Sequence, residues 1–440
     1  MRIRYWRRRY FGENTSLIVA SVAIGISAAF GAVALKLGVS ELTRLLHQWL
    51  FGSNRSLLVL VIPTAGILLS VLFTQVWLKG DLGRGLPAVL RDVREHKGVI
   101  DVHKLYSQVV TSILTMGAGG SAGLEAPIAS TGAAWGSNVA RWLKFDEPTR
   151  QLLLACGAAA GISAIFNAPI AGAIFALEAI LLNIAIPMVV PVLIASASAA
   201  FVSSLIYKGQ PFVLVTDSWN TAALPYYFGL AIFAALTSVY VVRVYHAIGT
   251  RFHKWNNPWY KALVGGSMLG ALILFFPPLL GEGYDSVEKL LHHETHPLSS
   301  YAPITLQLGD WNLEALVLGL MLLKVVATSL TLGAGGNGGM FGPSLFIGGM
   351  CGFAFAHAAN LLGVAELNEV NFTVVGMAAV LSGTIHVPLT AIFLIAEITG
   401  GYALFVPLML VSSITYLISR SVQPFSIYNR PVEMTGMKRG

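Results

Sequence analysis

Long runs without charge alternate with short polar interruptions along the whole chain. From Ser16 to Gly38 and from Leu57 to Leu78 the residues are almost all apolar or small, and each run exceeds the roughly 20 helical residues needed to cross a bilayer core. Other apolar stretches are shorter and broken by Gly or Pro, which predicts tilted or interrupted helices beside full spans. The pattern predicts an all-α polytopic membrane protein. The first apolar segment is too long for a signal peptide and lacks a cleavage site, so it is expected to stay in the mature chain.

Composition sharpens this picture. The 440 residues are 55% hydrophobic and 11% charged, against roughly 25% charged in a soluble domain. The net charge of +7 is concentrated in MRIRYWRRRYF at the start and in Arg430, Lys438 and Arg439 at the end. That distribution fits positive-inside bias and not nucleic-acid binding, and it places both termini in the cytoplasm with an even number of crossings. The expected setting is the cell membrane, with the lipid bilayer as partner. Cys156 and Cys351 both sit in apolar sequence and read as small buried residues.

An internal repeat organises the chain. TMGAGGSAGLEAPIASTGAAWG from Thr115 lies over TLGAGGNGGMFGPSLFIGGMCG from Thr331 at an offset of 216, with nine of 22 positions identical and six of those nine Gly. A second pair follows at an offset of 219: GAAAGISAIFNAPIAGAIFALE from Gly157 over GMAAVLSGTIHVPLTAIFLIAE from Gly376, ending in Glu178 and Glu397. Two matched pairs in one order argue for duplication. The expected layout is a basic tail at 1–15, membrane repeats at 16–208 and 223–428, a linker at 209–222 and a short tail at 429–440. Cytoplasmic termini allow an odd number of crossings per half and hence inverted halves, a common plan in secondary transporters.

The Gly-rich loops carry candidate chemistry. Pro127 and Pro343 suit a first helical turn, and the glycines before them free the backbone to expose its amides. Such a helix start is an anion site. GRGLP, Gly83 to Pro87, repeats the pattern a third time. Close helix packing is the alternative use of the same glycines. Glu125 stands between such a loop and its proline, where a carboxylate can take the place of a permeant anion and leave it when protonated. A structural ion pair is the competing reading. The matched position in the second repeat is Phe341, so the acid belongs to one side only.

With GRGLP, GLEAP from Gly123 to Pro127, GMFGP from Gly339 to Pro343, and NAPIAGAIFALE, the chain resembles the CLC family of chloride channels and chloride/proton antiporters over nearly its whole length. The resemblance implies a CLC-like inverted repeat of tilted and broken helices, a homodimer with a pore in each subunit, chloride as the transported ligand, and neither cofactor nor enzymatic activity. It makes Glu125 the gating acid. It implies anion binding by Gly83, Arg84, Gly85, Leu86 and Pro87, by Gly123, Leu124 and Ala126, and by Gly339, Met340 and Phe341, with Tyr428 as the pore tyrosine. No C-terminal regulatory domain is expected within these 440 residues.

Two departures bear on mechanism. The family's antiporters often carry a second glutamate where this chain has Ala179, which tips the expectation towards passive conduction, with a proton-coupled antiporter as the alternative. Glu178 is the neighbouring candidate for a proton path, set against a structural role with its repeat counterpart Glu397. Arg84 replaces the usual loop serine and leaves selectivity open.

Other motifs carry less. Gly119 to Gly123 spells G-x-S-x-G, but the repeat has Asn337 at the serine position and no triad is evident. GAGGSAG lacks a P-loop ending. His292, His293, Glu294 and His296 read as a solvated loop, not a metal site. Lys324, on an apolar helix, has three open uses: orienting carbonyls, snorkelling or raising the local potential.

Overall fold

The computed structural model describes residues 12–51, 58–80, 82–83, 85–181, 186–207, 218–292, 311–400 and 402–429. Residues 1–11, most of the 209–222 linker and residues 430–440 lie outside the described residues, as do Arg84, His293, Glu294 and His296. All regular structure among the described residues is helical, and the one β-type pairing there is an antiparallel bridge between Gly123 and Gly339.

The first half contains α1 (Gly12–Phe51), α2 (Leu58–Trp77), α3 (Gly85–Arg94), α4 (Lys104–Gly117), α5 (Glu125–Trp142), α6 (Glu147–Phe166), α7 (Pro169–Phe175) and α8 (Ile186–Ile206). A π-helical turn, Ala176–Ile180, extends α7. The second half contains α9 (Leu224–His253), α10 (Pro258–Phe275), α11 (Tyr284–Leu291), α12 (Asn312–Gly333), α13 (Phe341–Leu361), α14 (Glu369–Ile385), α15 (Pro388–Ile398) and α16 (Phe405–Val422). Nine helices among the described residues are long and apolar enough to cross a bilayer, and the helices at Pro169–Ile180, Glu369–Ile385 and Pro388–Ile398 are shorter. Large apolar side chains such as Phe30, Trp77, Phe201, Leu236 and Leu417 are exposed, and hydrocarbon would cover them.

Local sequence sets the breaks between helices, and it does so in the same way in both halves. Asp146 caps α6 by accepting the Thr149 N–H, and Asn368 caps α14 by accepting the Asn371 N–H. Helix α6 stops at Asn167, whose φ of 55° turns the chain out of the helix two residues before Pro169 opens α7. Helix α14 stops at His386, φ 65°, two residues before Pro388 opens α15.

Glycine contacts draw the inner helices together. A Cβ on Gly136 of α5 would collide with the Leu153 carbonyl oxygen of α6, and one on Gly352 of α13 would collide with the Phe372 carbonyl oxygen of α14. No side chain fits either crossing, so any substitution there must push two helices apart. We read the halves as duplicated copies, a proposal supported by these matched crossings and by the contacts between loops described below.

Candidate functional site

The Gly-rich loops of the two halves meet face to face. Gly123 and Gly339 exchange backbone hydrogen bonds in both directions, each 2.8 Å long. Two threonines clasp the pair from behind: Thr331 Oγ1 accepts the Ser121 N–H at 3.1 Å, and Thr115 Oγ1 accepts the Asn337 N–H at 3.0 Å. Each of these contacts crosses between the halves, and each is the repeat image of the other. The amides that a lone loop would leave unpaired are thereby satisfied by its counterpart.

The third loop joins through α4. Gln108 donates from Nε2 to the Leu82 and Gly83 carbonyls at 3.0 and 2.9 Å, while Asn337 Nδ2 donates to Gln108 Oε1 at 2.9 Å and to Thr111 Oγ1 at 2.8 Å. Gly83 and Gly85 take left-handed φ of 55° and 61°, which turns the chain into α3. A Cβ on Gly85 would stand 3.7 Å from the Ala126 Cβ, and one on Gly339 would stand 2.6 Å from it. The starts of α3, α5 and α13 therefore converge on Ala126. Lys104 lies against Gly83 and forms a buried 2.9 Å ion pair with Asp92 of α3.

Glu125 opens α5 and is 0% exposed. Its Oε2 accepts the Gly342 N–H in the first turn of α13 at 3.2 Å, and its Oε1 accepts the Tyr284 hydroxyl at 2.5 Å. The carboxylate thus sits on a helix N-terminus of the opposite half, where amides and dipole favour an anion. Phe341, at the matched place in the second loop, is buried between Phe166 and Phe175, with ring centroids 5.7 and 6.3 Å away. Tyr428 reaches the same loop beside the Met340 backbone. Its hydroxyl is buried and lies 3.5 Å from where a Gly339 Cβ would be. Leu124 caps α5 and Leu86 is buried in the first turn of α3, with Pro87 beside it. Arg84, the residue on which selectivity was left open, is outside the described residues.

Glu178 and Glu397 do not pair with each other. Glu178 accepts the Leu389 and Thr390 N–H groups, at 3.1 and 2.8 Å, and the Thr390 hydroxyl at 2.7 Å. Glu397 accepts the Ile170 and Ala171 N–H groups at 3.0 and 2.7 Å. Each acid caps the short Pro-initiated helix of the other half. Ala179 follows Glu178 within the π turn. Of the three uses open to Lys324, the structure displays the first: Nζ donates to the Leu279 and Gly281 carbonyls at 3.0 and 2.8 Å.

Sequence reasoning missed several residues that frame the site. Glu282 places Oε1 3.0 Å from the Leu124 N–H, and Tyr284 supplies the hydroxyl on Glu125. Both come from GEGYD, a carboxylate and a phenol set among glycines beyond an apolar helix. Gln108 was likewise readable as the one amide in the apolar stretch of α4.

A buried acid that opens a helix of one half and rests on a helix N-terminus of the other, in a polytopic helical chain, points to an integral membrane protein. The chain belongs to the family described as voltage gated chloride channel, whose model matches residues 66–420. It is 30% identical to a Ralstonia nicotianae protein named for its likeness to the chloride channel ClcB, covering 92% of this chain and 94% of that one. It is 26% identical to the H(+)/Cl(-) exchange transporter ClcA of Vibrio parahaemolyticus, over 96% and 90% of the two chains. The fold matches the crystal structure of a slow cyanobacterial Cl-/H+ antiporter with a TM-score of 0.81 at 22% identity, covering 94% of this chain and 96% of that one. A CLC-type fluoride/proton antiporter matches with a TM-score of 0.75 at 23% identity, over 95% and 98%.

Proposed function

We propose that this chain carries chloride or a related anion across a membrane through a path bounded by the 82–87, 123–127 and 339–343 loops, and that Glu125 opens and closes that path. One observation carries the reading: the Glu125 carboxylate occupies an N-H donor of α13, a place a permeant anion would need. Ionised, the side chain holds that place. Protonated, it loses most of its attraction to the amide and to the dipole, and a free anion can enter. The buried Tyr428 hydroxyl beside Met340 and Gly339 is a second donor for that anion. The working unit is a homodimer with one path per subunit, set in the cell membrane with both termini cytoplasmic.

Coupling to protons is the finer question. The expectation of passive conduction rested on Ala179, and the relatives carry names of both kinds, chloride channel as well as exchanger. Relatives named as exchangers and antiporters fit the alternative at least as well, and proton-coupled exchange is the reading favoured here. In reconstituted vesicles with opposed chloride and proton gradients, the reversal potential of an exchanger shifts with pH. A reversal potential that follows the chloride gradient alone would return the protein to the channels.

A further inference from the structure

Glu282 lies in a turn pinned from both sides. The Gly281 N–H donates to the Gly120 carbonyl of the first Gly-rich loop at 3.1 Å, and Lys324 Nζ holds the Gly281 and Leu279 carbonyls. Gly281 and Gly283 take left-handed φ of 62° and 91°, a turn that presents the side chain between them. Its Oε1 meets the N–H of Leu124, the capping residue of α5, one position before Glu125. Two carboxylates therefore share the start of one helix. Two residues further on, Tyr284 hands its hydroxyl to Glu125. A single short segment thus brings the buried acid both a hydrogen-bond donor and a second acid.

The two acids differ in access. Glu125 is fully buried, whereas Glu282, in the turn before α11, is only partly so. The charged groups facing Glu282 are Glu125, Lys36 of α1 and Lys324 of α12, and the Tyr284 hydroxyl faces both acids. Lys36 also sits 4.7 Å above the Tyr207 ring. Two acids this close in a dry site resist ionising together, so a proton on one favours the charged form of the other.

We propose that Glu282 is a second proton-accepting carboxylate of the transport path, through which protons reach and leave Glu125 from the mouth lined by the turn before α11. The proposal rests on Glu125 being the protonatable gate. The step is a proton transfer without redox change. An O–H bond on neutral Glu282 breaks as one forms on Glu125, and the negative charge passes to Glu282, where Lys36 and Lys324 offset it. Glu282 then takes its next proton from water at the mouth.

The test uses full-length protein in liposomes, with anion flux measured while pH is varied on one face at a time. Glu282→Gln is expected to move the pH midpoint of flux by about one unit from one face only, and to slow proton movement several-fold. In a Glu125→Gln background the remaining pH dependence is expected to vanish when Glu282→Gln is added. Glu282→His keeps a titratable group and should carry the midpoint towards neutral pH, so either variant that yields folded dimer decides. A profile superimposable on the wild type from both faces, with only stability lost, would make Glu282 a cap for Leu124 and overturn the proposal. If Glu125→Gln itself leaves the wild-type profile unmoved, the gate reading falls first and this one with it.

Discussion

The GLEAP and GMFGP loops are copies in sequence and pair with each other in space, yet they end in opposite chemistry. At the start of α5 stands Glu125, a carboxylate with two hydrogen-bond donors from the other half. At the start of α13 stands Phe341, packed between two aromatic rings. The backbone frame is therefore common property of both loops, and the titratable group is an addition to one. The two loops present similar helix starts, and one of them lends its amide to the acid of the other.

The largest expected effect comes from spoiling the shared frame. A valine at Gly339 would drive its Cβ into the Ala126 Cβ, 2.6 Å away, and should cut anion flux on the order of 100-fold. The same change at Ser299, which lies outside the described residues, should leave flux near wild type. Folded, dimeric Gly339→Val protein with normal efflux would remove that loop from the path.

Making the second loop resemble the first should cost stability instead. Phe341→Glu places an acid between Phe166 and Phe175 and should destabilise the protein by about 3 kcal/mol, read from thermal unfolding in detergent. An unchanged melting temperature would mean that the second loop tolerates the acid equally well. The reverse edit should leave the fold alone. Glu125→Gln removes the charge that competes with anions and should abolish most of the pH dependence of flux, measured as chloride efflux across a pH series. A wild-type profile in that variant would strip Glu125 of its role.

The smallest effects probe the reciprocal caps. Glu178→Gln and Glu397→Gln each replace charge-assisted bonds with neutral ones and should each cost about 1 kcal/mol, nearly equal in the two halves. If Glu178→Gln instead abolished proton coupling with stability unchanged, that residue would belong to the proton path, and the symmetry of the caps would be incidental.

Much of the frame could be read without coordinates because it is written twice. The repeat at Thr115 and Thr331 marks the loops, Pro127 and Pro343 mark the helix starts, and a lone acid against its apolar counterpart marks Glu125. The rest depends on distant segments meeting. Tyr284 and Glu282 lie 159 and 158 residues from the atoms they contact, in a turn with no matched copy. Gln108 reads as one polar residue in a helix until the fold sets it between the 82–83 carbonyls and Asn337. The destinations of Glu178 and Glu397 were hidden for another reason. Matched acids in matched helices suggest a pair, whereas α7 and α15 meet so that each acid reaches the N-terminus of the other helix.

That exchange of caps sets a timetable for synthesis. The donors that satisfy Glu178 lie 211 residues downstream, so at roughly 5 to 20 residues per second the ribosome delivers them about ten to forty seconds after the acid itself. Throughout that interval the first half carries a carboxylate whose native donors are not yet made. It must wait protonated, at the headgroups, or in the care of the insertion machinery. The native bundle closes only when the last short helices arrive.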